Sequence, residues 1–370
     1  MNSTVNHKEH LNPFIIPFFI PQMGCIFHCL YCHQETITQS PKKALNWKTF
    51  SCVLEAGLSS KRKKPGQEVE IAFYGGTFTN LPLSYQEQLL TWGAHFISQK
   101  KVTSLRLSTR PDALSEKKIE QLITVGVRTI ELGVQSLNDE VLSLSNRGHT
   151  AQDAIQALAL LKKFPIKIGV QLMMGLPGDN AEGFLKTTKE VIALEPDFVR
   201  IYPTIVFQDT PLAQWLQEGR YHPLSLDEAV YLCSRALELF EAAQIKVVRL
   251  GLQDHNGMHS GNNLIAGPFH PAFGSLVRGE LFIRKILRGL KSQKPLPSEI
   301  VIQIAPKDIS YLLGDKRRNL HRLTQELKVN RIELKVDQAL SPGTWRWKLA
   351  TNSKSQIITV PCPLNPDILP

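Results

Sequence analysis

The sequence predicts an α/β chain, a partial (β/α)6 TIM-type barrel followed by a small α+β C-terminal domain. Three observations lead there. Short β-branched or apolar runs alternate with amphipathic stretches at helical spacing, the pattern of β-α units around a parallel sheet. The 370 residues, 42% of them hydrophobic, are enough for one large core or for a large and a small one. The motifs that carry chemistry fall at the ends of the expected strands, where the loops of a barrel converge on one mouth.

The expected strands are residues 14–20, 69–74, 104–108, 129–133, 166–173 and 198–202, with helical patterns such as 151–164 between several of them. A helix is expected over 226–243 and a further strand over 247–250. A Gly- and His-rich stretch follows, and a second unit begins near Pro295. The chain therefore divides into a barrel over 1–250, a connecting or lid region over 251–295, a small α/β domain over 296–352 and a loose tail over 353–370. The apolar run 14–20 is too short to span a bilayer and carries Pro17, and no signal peptide with a small-residue cleavage site precedes it. Of six cysteines three are clustered and three, Cys52, Cys233 and Cys362, are scattered, unlike the paired framework of a small secreted protein. A reducing cytoplasm, with no membrane partner, fits this usage.

The most informative segment follows the first strand. Cys25, Cys29 and Cys32 stand as C-x3-C-x2-C, with Tyr31 just before the third. Three thiolates on one short loop can hold three irons of a cubane and leave the fourth open, whereas structural zinc wants four closed ligands. Zinc completed by His28 or His33, or unrelated free thiols, are the alternatives. After the second strand, Gly75 and Gly76 let the backbone approach a ligand or make a tight turn. The fourth strand offers Glu131 and Gln135 as hydrogen-bonding side chains, and Arg147 beyond it can pair in a fork with a carboxylate. Each could also be a surface or core residue.

In order and spacing these segments resemble the radical S-adenosylmethionine (SAM) superfamily. Two members are resembled, and the likeness to the radical SAM domain of the Elongator catalytic subunit, over roughly residues 21–202, is closer than that to oxygen-independent coproporphyrinogen oxidase. It includes Ser108-Thr109-Arg110-Pro111-Asp112 and the run from Gly169 to Gly175-Leu176-Pro177-Gly178. The resemblance implies a 4Fe-4S cluster on Cys25, Cys29 and Cys32 and SAM as cofactor, split reductively to give a 5'-deoxyadenosyl radical. It implies that Gly75 and Gly76 admit the methionine end of SAM and that Glu131 and Gln135 meet its ribose. Arg147 would hold its carboxylate, Tyr31 would pack on the adenine side, and Met173 and Met174 would form a pocket wall or, equally, core. Thr77 departs from the family's commoner Glu. An external electron donor such as ferredoxin or flavodoxin is implied. The Elongator subunit also carries an acetyltransferase domain; no glycine-rich pyrophosphate loop for coenzyme A is visible here, so acetyl transfer is not expected.

Asp254, His255, His259, His270 and Pro271 lie in the Gly-rich stretch, where a substrate-contacting or structural loop is expected over a second metal site. Residues 299–337 read strand, helix, turn, helix, strand, and resemble a minimal KH module. Gly314-Asp315-Lys316-Arg317 stands at its Gly-x-x-Gly turn, with Arg317 replacing the second glycine. Gly314, Lys316, Arg317, Arg318 and Arg322 are the candidate RNA contacts, a basic patch suited to phosphates without sequence specificity. A small dimerisation or lid domain with a solvated basic helix is the alternative. The chain carries 43 Lys and Arg against 33 Asp and Glu, a balance that favours a polyanionic partner such as tRNA or rRNA. Two rivals to an RNA-modifying radical SAM enzyme remain, one acting on a small molecule such as a porphyrinogen and a non-catalytic Fe-S protein that binds RNA.

Overall fold

A computed structural model describes residues 12–38, 40, 43–252, 263–292, 296–349 and 358–359. Its larger sheet is built from β1 (Phe14–Phe19), β2 (Val69–Tyr74), β3 (Ser104–Thr109), β4 (Val127–Gln135), β5 (Lys167–Met174) and β6 (Phe198–Pro203). After the short β7 (Val206–Phe207) comes β8 (Lys246–Leu250), which completes the sheet in the order β1-β2-β3-β4-β5-β6-β8. Every neighbouring pair is parallel. The sheet curls into a half-barrel with seven strands rather than six, because the apolar 247–250 run takes a full place beside β6. β1 and β8 are its two open edges.

Helices cover the outer face. All six residues of β2 are buried, as expected of a strand packed on both sides. Phe73, Phe50 and Phe18 form an aromatic stack there, the rings of Phe18 and Phe50 lying 4.2 Å apart. Helices start where the sequence supplies caps: Thr150 with Asp153 and Ser225 with Glu228 each form a reciprocal capping box before Ala151–Leu161 and Leu226–Ala242. The parallel direction places all strand C-termini, and the loops that follow them, at one end.

β9 (Leu264–Ala266) pairs antiparallel with β7, forming a ribbon beside that end. The stretch read as a connection holds a 19-residue helix, Phe273–Lys291. Its Val277 and Leu281 join the barrel core, while Ile283, Ile286 and Leu290 join a second core. Asp254, His255 and His259 lie outside the described residues; His270 Nδ1 accepts from the Ala272 amide at 3.0 Å, just before the helix.

The second core lies between that helix and a four-stranded sheet. β10 (Glu299–Ile304), β11 (Arg331–Val336), β12 (Trp345–Leu349) and β13 (Ile358–Thr359) are ordered β11-β10-β12-β13. β10 and β11 are parallel, β10 and β12 antiparallel. Between β10 and β11 run the helices Ile309–Leu313 and Arg318–Leu327, the expected strand-helix-turn-helix-strand order. Of the tail, Ile358–Thr359 pairs with β12.

Candidate active site

A cavity of about 1070 Å³ runs along the inside of the half-barrel and reaches the C-terminal ends of its strands. Cys25, Cys29 and Cys32, on the loop after β1, line it together with Tyr31, Gly75, Gly76, Glu131, Gln135 and Arg147. Residues from four separate strands and loops thus meet in one chamber.

The cysteine loop is clamped onto the turn after β2. Gly76 has φ +60, and a Cβ on it would stand 2.1 Å from the Met23 carbonyl oxygen and 2.8 Å from that of Ile20. The Gly76 amide donates to Gln34 Oε1 at 2.8 Å, and the Gln22 amide shares the same acceptor at 2.5 Å. The close approach that requires glycine here is therefore between two parts of this chain, and Gln34, which sequence reading passed over, ties them together. Gly75 is the more open of the pair, its nearest side-chain neighbour being Gln34 Oε1 at 3.2 Å from a built Cβ.

Cys29 is buried, and Cys25 and Cys32 beside it are half-buried. Burial pushes the Cys32 thiol up to about 12, with Cys29 and Cys25 adding to the rise and Arg147 opposing it. Burial also raises Cys25, against a 3.5 Å contact with the Thr77 hydroxyl. Such thiols need positive charge to become thiolates. Arg147 supplies some, donating from Nη1 to Cys29 Sγ at 3.2 Å and from Nη2 to the Gly133 carbonyl at 2.5 Å. The Tyr31 hydroxyl, buried against Cys29 and Arg147, has no partner of hydrogen-bonding geometry among the described residues, and neither has Arg147 Nε. Among the described residues no three His, Cys, Asp or Glu side chains converge as ligands of a single ion. Three thiol donors suit a cubane, which takes one cysteine on each of three irons, whereas a structural zinc takes four closed ligands. Donor set, crowding and orphaned polar atoms all fit an iron-sulfur cluster with a polar ligand beside it.

β4 shapes the next wall. Its pairing with β5 is irregular between Gly133 and Gln135, and Gln135 takes φ +70, a left-handed conformation costly to a non-glycine residue and seen most at working sites. Gln171 Nε2 donates to Gln135 Oε1 at 3.3 Å. A Cβ at Gly133 would stand 3.1 Å from Gln135 Nε2 and 3.3 Å from Arg147 Nη2, so the glycine leaves room for both.

Glu131 is placed differently from a free ribose ligand. Oε1 accepts from Tyr74 Oη and from Arg106 Nη1, each at 2.9 Å, and Oε2 lies 2.9 Å from Arg200 Nε. Arg106 also pairs with Glu70 at 2.6 Å, and Arg200 lies over the Tyr74 ring. Two arginines and two glutamates thus form a charge-balanced floor under the cavity. Arg106 and Arg200 went unnoticed in the sequence, although a cation inside an otherwise apolar strand, as in Leu105-Arg106-Leu107, is a legible signal that it faces a polar interior. Met173 and Met174 separate by strand alternation: Met173 lines the cavity, while Met174 is fully buried in the core behind the sheet and forms no pocket wall.

In the expected RNA patch, two of the four cations have ion-pair partners. Gly314 has φ +65 and packs against Asn319, whose Cγ would lie 2.7 Å from a Cβ. Lys316 and Arg317 both take positive φ without being glycine. Arg318 pairs with Asp227 at 2.8 Å, and Arg322 with Glu280 at 2.5 Å and Glu326 at 2.8 Å. Two of the four cations are therefore committed to ion pairs, because the helix Arg318–Leu327 docks on the helices behind β8; Lys316 and Arg317 have no ion pair among the described residues.

With this geometry in view, the family profile of the Radical SAM superfamily matches residues 19–191, and that of the Radical_SAM C-terminal domain matches 196–282. The chain belongs to the radical SAM superfamily, and is an enzyme whose cofactors are a 4Fe-4S cluster and SAM. Within it, the chain is similar to the tRNA uridine(34) acetyltransferase of Methanocaldococcus infernus, 33% identical over 192 residues, 46% of this chain and 36% of that protein. It is likewise similar to Elongator complex protein 3 of Saccharomyces cerevisiae, 31% identical over 46% of this chain and 34% of that protein. The match thus spans about a third of the length of these relatives. The solved structure of archaeal M. infernus Elp3 with an N-terminal deletion superposes with a TM-score of 0.57 and 25% identity, covering 72% of this chain and 62% of that one. When bound, cluster and SAM together supply a 5'-deoxyadenosyl radical. The protein's share is to hold the thiols, orient the ligand and exclude water.

Proposed function

We propose that this radical SAM enzyme modifies RNA, with tRNA or rRNA as substrate, in the cytoplasm, drawing electrons from a ferredoxin or flavodoxin. The observation that carries the reading is the likeness of its radical SAM region to proteins named as a tRNA uridine(34) acetyltransferase and as Elongator complex protein 3. Two features support it. Arg318 pairs with Asp227 in the first turn of the helix Leu226–Ala242, which begins at the end of the barrel where the cavity opens, so the Lys316-Arg317 turn stands at that same end. Two cations there with no ion pair among the described residues suit a phosphate backbone. No helix among the described residues is long and apolar enough to cross a membrane.

In this reading Cys25, Cys29 and Cys32 hold the cluster, and Tyr31, Gln135 and Arg147 bound the SAM pocket. Gly75 and Gly76 shape the turn beside the methionine end, and Glu131 steadies the floor. Gly314, Lys316 and Arg317 meet RNA, while Arg318 and Arg322 fix the small domain, residues 296–352, against the barrel. The test is anaerobic reconstitution with iron and sulfide, then dithionite and SAM, assaying 5'-deoxyadenosine in wild type and Cys29→Ala with and without total RNA. Formation only in wild type, stimulated by RNA, is expected. Formation that RNA leaves unchanged and a porphyrinogen stimulates would favour the small-molecule substrate.

A further inference from the structure

The pairing of β6 with β8 shifts by one residue: Val199 faces Val247, but Arg200 faces Arg249, leaving Val248 as an extra residue on β8. Val247 and Leu250, three apart, both reach the barrel core, as a bulge between them requires. In uniform register Arg249 would stand opposite Ile201, which is wholly buried behind the sheet, and its guanidinium would enter that apolar layer. The bulge sets it instead in a row that crosses the barrel, Gly133, Gln171, Arg200 and Arg249, all four lining the cavity.

The charges around it are unequal. Arg106 and Arg200 are balanced by Glu70 and Glu131, Arg110 by Asp112 through two bonds, and Arg147 faces Cys29. Arg249 Nε donates to the Gly251 carbonyl at 3.1 Å, and among the described residues no carboxylate pairs with its guanidinium. Lys246 and Arg278, also at this wall, add positive charge; Lys246 bonds Asn12 Oδ1 and Arg278 lies 3.9 Å from Glu241. Asp197, which also lines the cavity, accepts from the Ile168 amide.

We propose that Arg249 is the substrate's anion anchor, binding a phosphate of the RNA nucleotide that enters the cavity. This rests on the RNA reading above. A nucleotide modified on its base must leave the stack and bring its backbone to the cavity mouth, and a guanidinium fork matches phosphate oxygens with two parallel bonds. Three strand spacings, ~14 Å along the sheet, separate Arg249 from Gly133, where Arg147 is anchored. The two arginines therefore serve different anions.

The experiment measures binding of the reconstituted protein to a labelled tRNA anticodon stem-loop over about 50 to 200 mM salt. Arg249→Gln is expected to bind about tenfold more weakly, with a salt dependence shallower by about one phosphate contact, and Arg249→Lys to fall between. Equal affinity and slope in wild type and Arg249→Gln overturns the assignment; no binding by wild type overturns the RNA reading with it. Should Arg249→Gln fail to fold, phenylglyoxal labelling of the wild type decides. RNA is expected to protect Arg249 while exposed Arg128, at the opposite end of the barrel, stays reactive. Protection by a carboxylate-bearing porphyrinogen and not by RNA overturns the proposal.

Discussion

Arg147 donates to the Cys29 thiol at 3.2 Å, joining residues 118 apart in the chain. Its second terminal nitrogen, Nη2, donates to the Gly133 carbonyl, and Arg110 in turn holds the Arg147 carbonyl. One guanidinium therefore couples the cysteine loop to β4 and places fixed positive charge against crowded thiols.

Arg147→Gln removes that charge while keeping a polar head. A cation beside a cluster favours its reduced, more negative form, so the variant is expected to take up iron yet show a lower midpoint potential. Loss of a charged hydrogen bond of about 1.5–3 kcal/mol corresponds to roughly ten- to hundredfold slower 5'-deoxyadenosine formation. Spectroelectrochemistry on the reconstituted protein separates the two effects; an unchanged potential would refute the electrostatic role.

Gly76→Ala sets a Cβ against the Met23 carbonyl at 2.1 Å in a left-handed backbone. The conformation alone costs roughly 1–2 kcal/mol, and the clash must also displace the cysteine loop. The variant should melt lower and bind less iron after reconstitution. Gly75→Ala, whose Cβ would meet Gln34 Oε1 at 3.2 Å and the Ile20 carbonyl at 3.6 Å, should lose less of both.

At the floor of the cavity even a conservative change is costly, because its ion pairs are buried. Glu131→Gln leaves Arg106 and Arg200 with one carboxylate between them in a buried site, and breaking a buried pair costs about 3–5 kcal/mol. Urea unfolding should show that loss, whereas Glu55→Gln at the exposed Lys101 pair should leave the midpoint within error.

Much of this architecture was legible because β-α alternation repeats a simple period. β2 matched its expected bounds and the helix Leu226–Ala242 fell within one residue, since an apolar run and a Ser-x-x-Glu cap define them locally. What the sequence concealed depends on register and on partners far along the chain. Nothing local told that Glu131 would be consumed by Arg106 and Arg200, or that Arg318 would reach Asp227. The bulge that turns Arg249 inward was equally hidden, because a one-residue slip reverses the face of a strand without altering its composition.

His149 makes stability depend on pH. Burial lowers it from 6.5 to about 4, helped by Arg147 and Arg110, while Nε2 bonds the Val134 carbonyl at 3.2 Å. Between those values the unfolded chain binds a proton that the folded one refuses. Stability is thus complete above about 6.5 and falls as pH drops toward 4, by about 3 kcal/mol in all. His149→Gln keeps a donor for Val134 but does not titrate, so the difference between its urea midpoint and that of the wild type should change across this window and be constant above it.

The turn at Lys316 and Arg317 separates binding from docking. These two side chains have no ion pair among the described residues, whereas Arg318 and Arg322 are held by Asp227, Glu280 and Glu326. If the turn meets phosphates, Lys316→Ala with Arg317→Ala should weaken RNA binding and flatten its salt dependence by about two contacts, with the melting temperature kept. Arg322→Ala should do the reverse, loosening the small domain because Glu280, only 8% exposed, loses its cation. Equal RNA affinity in the double variant and the wild type would leave the turn with a purely structural role.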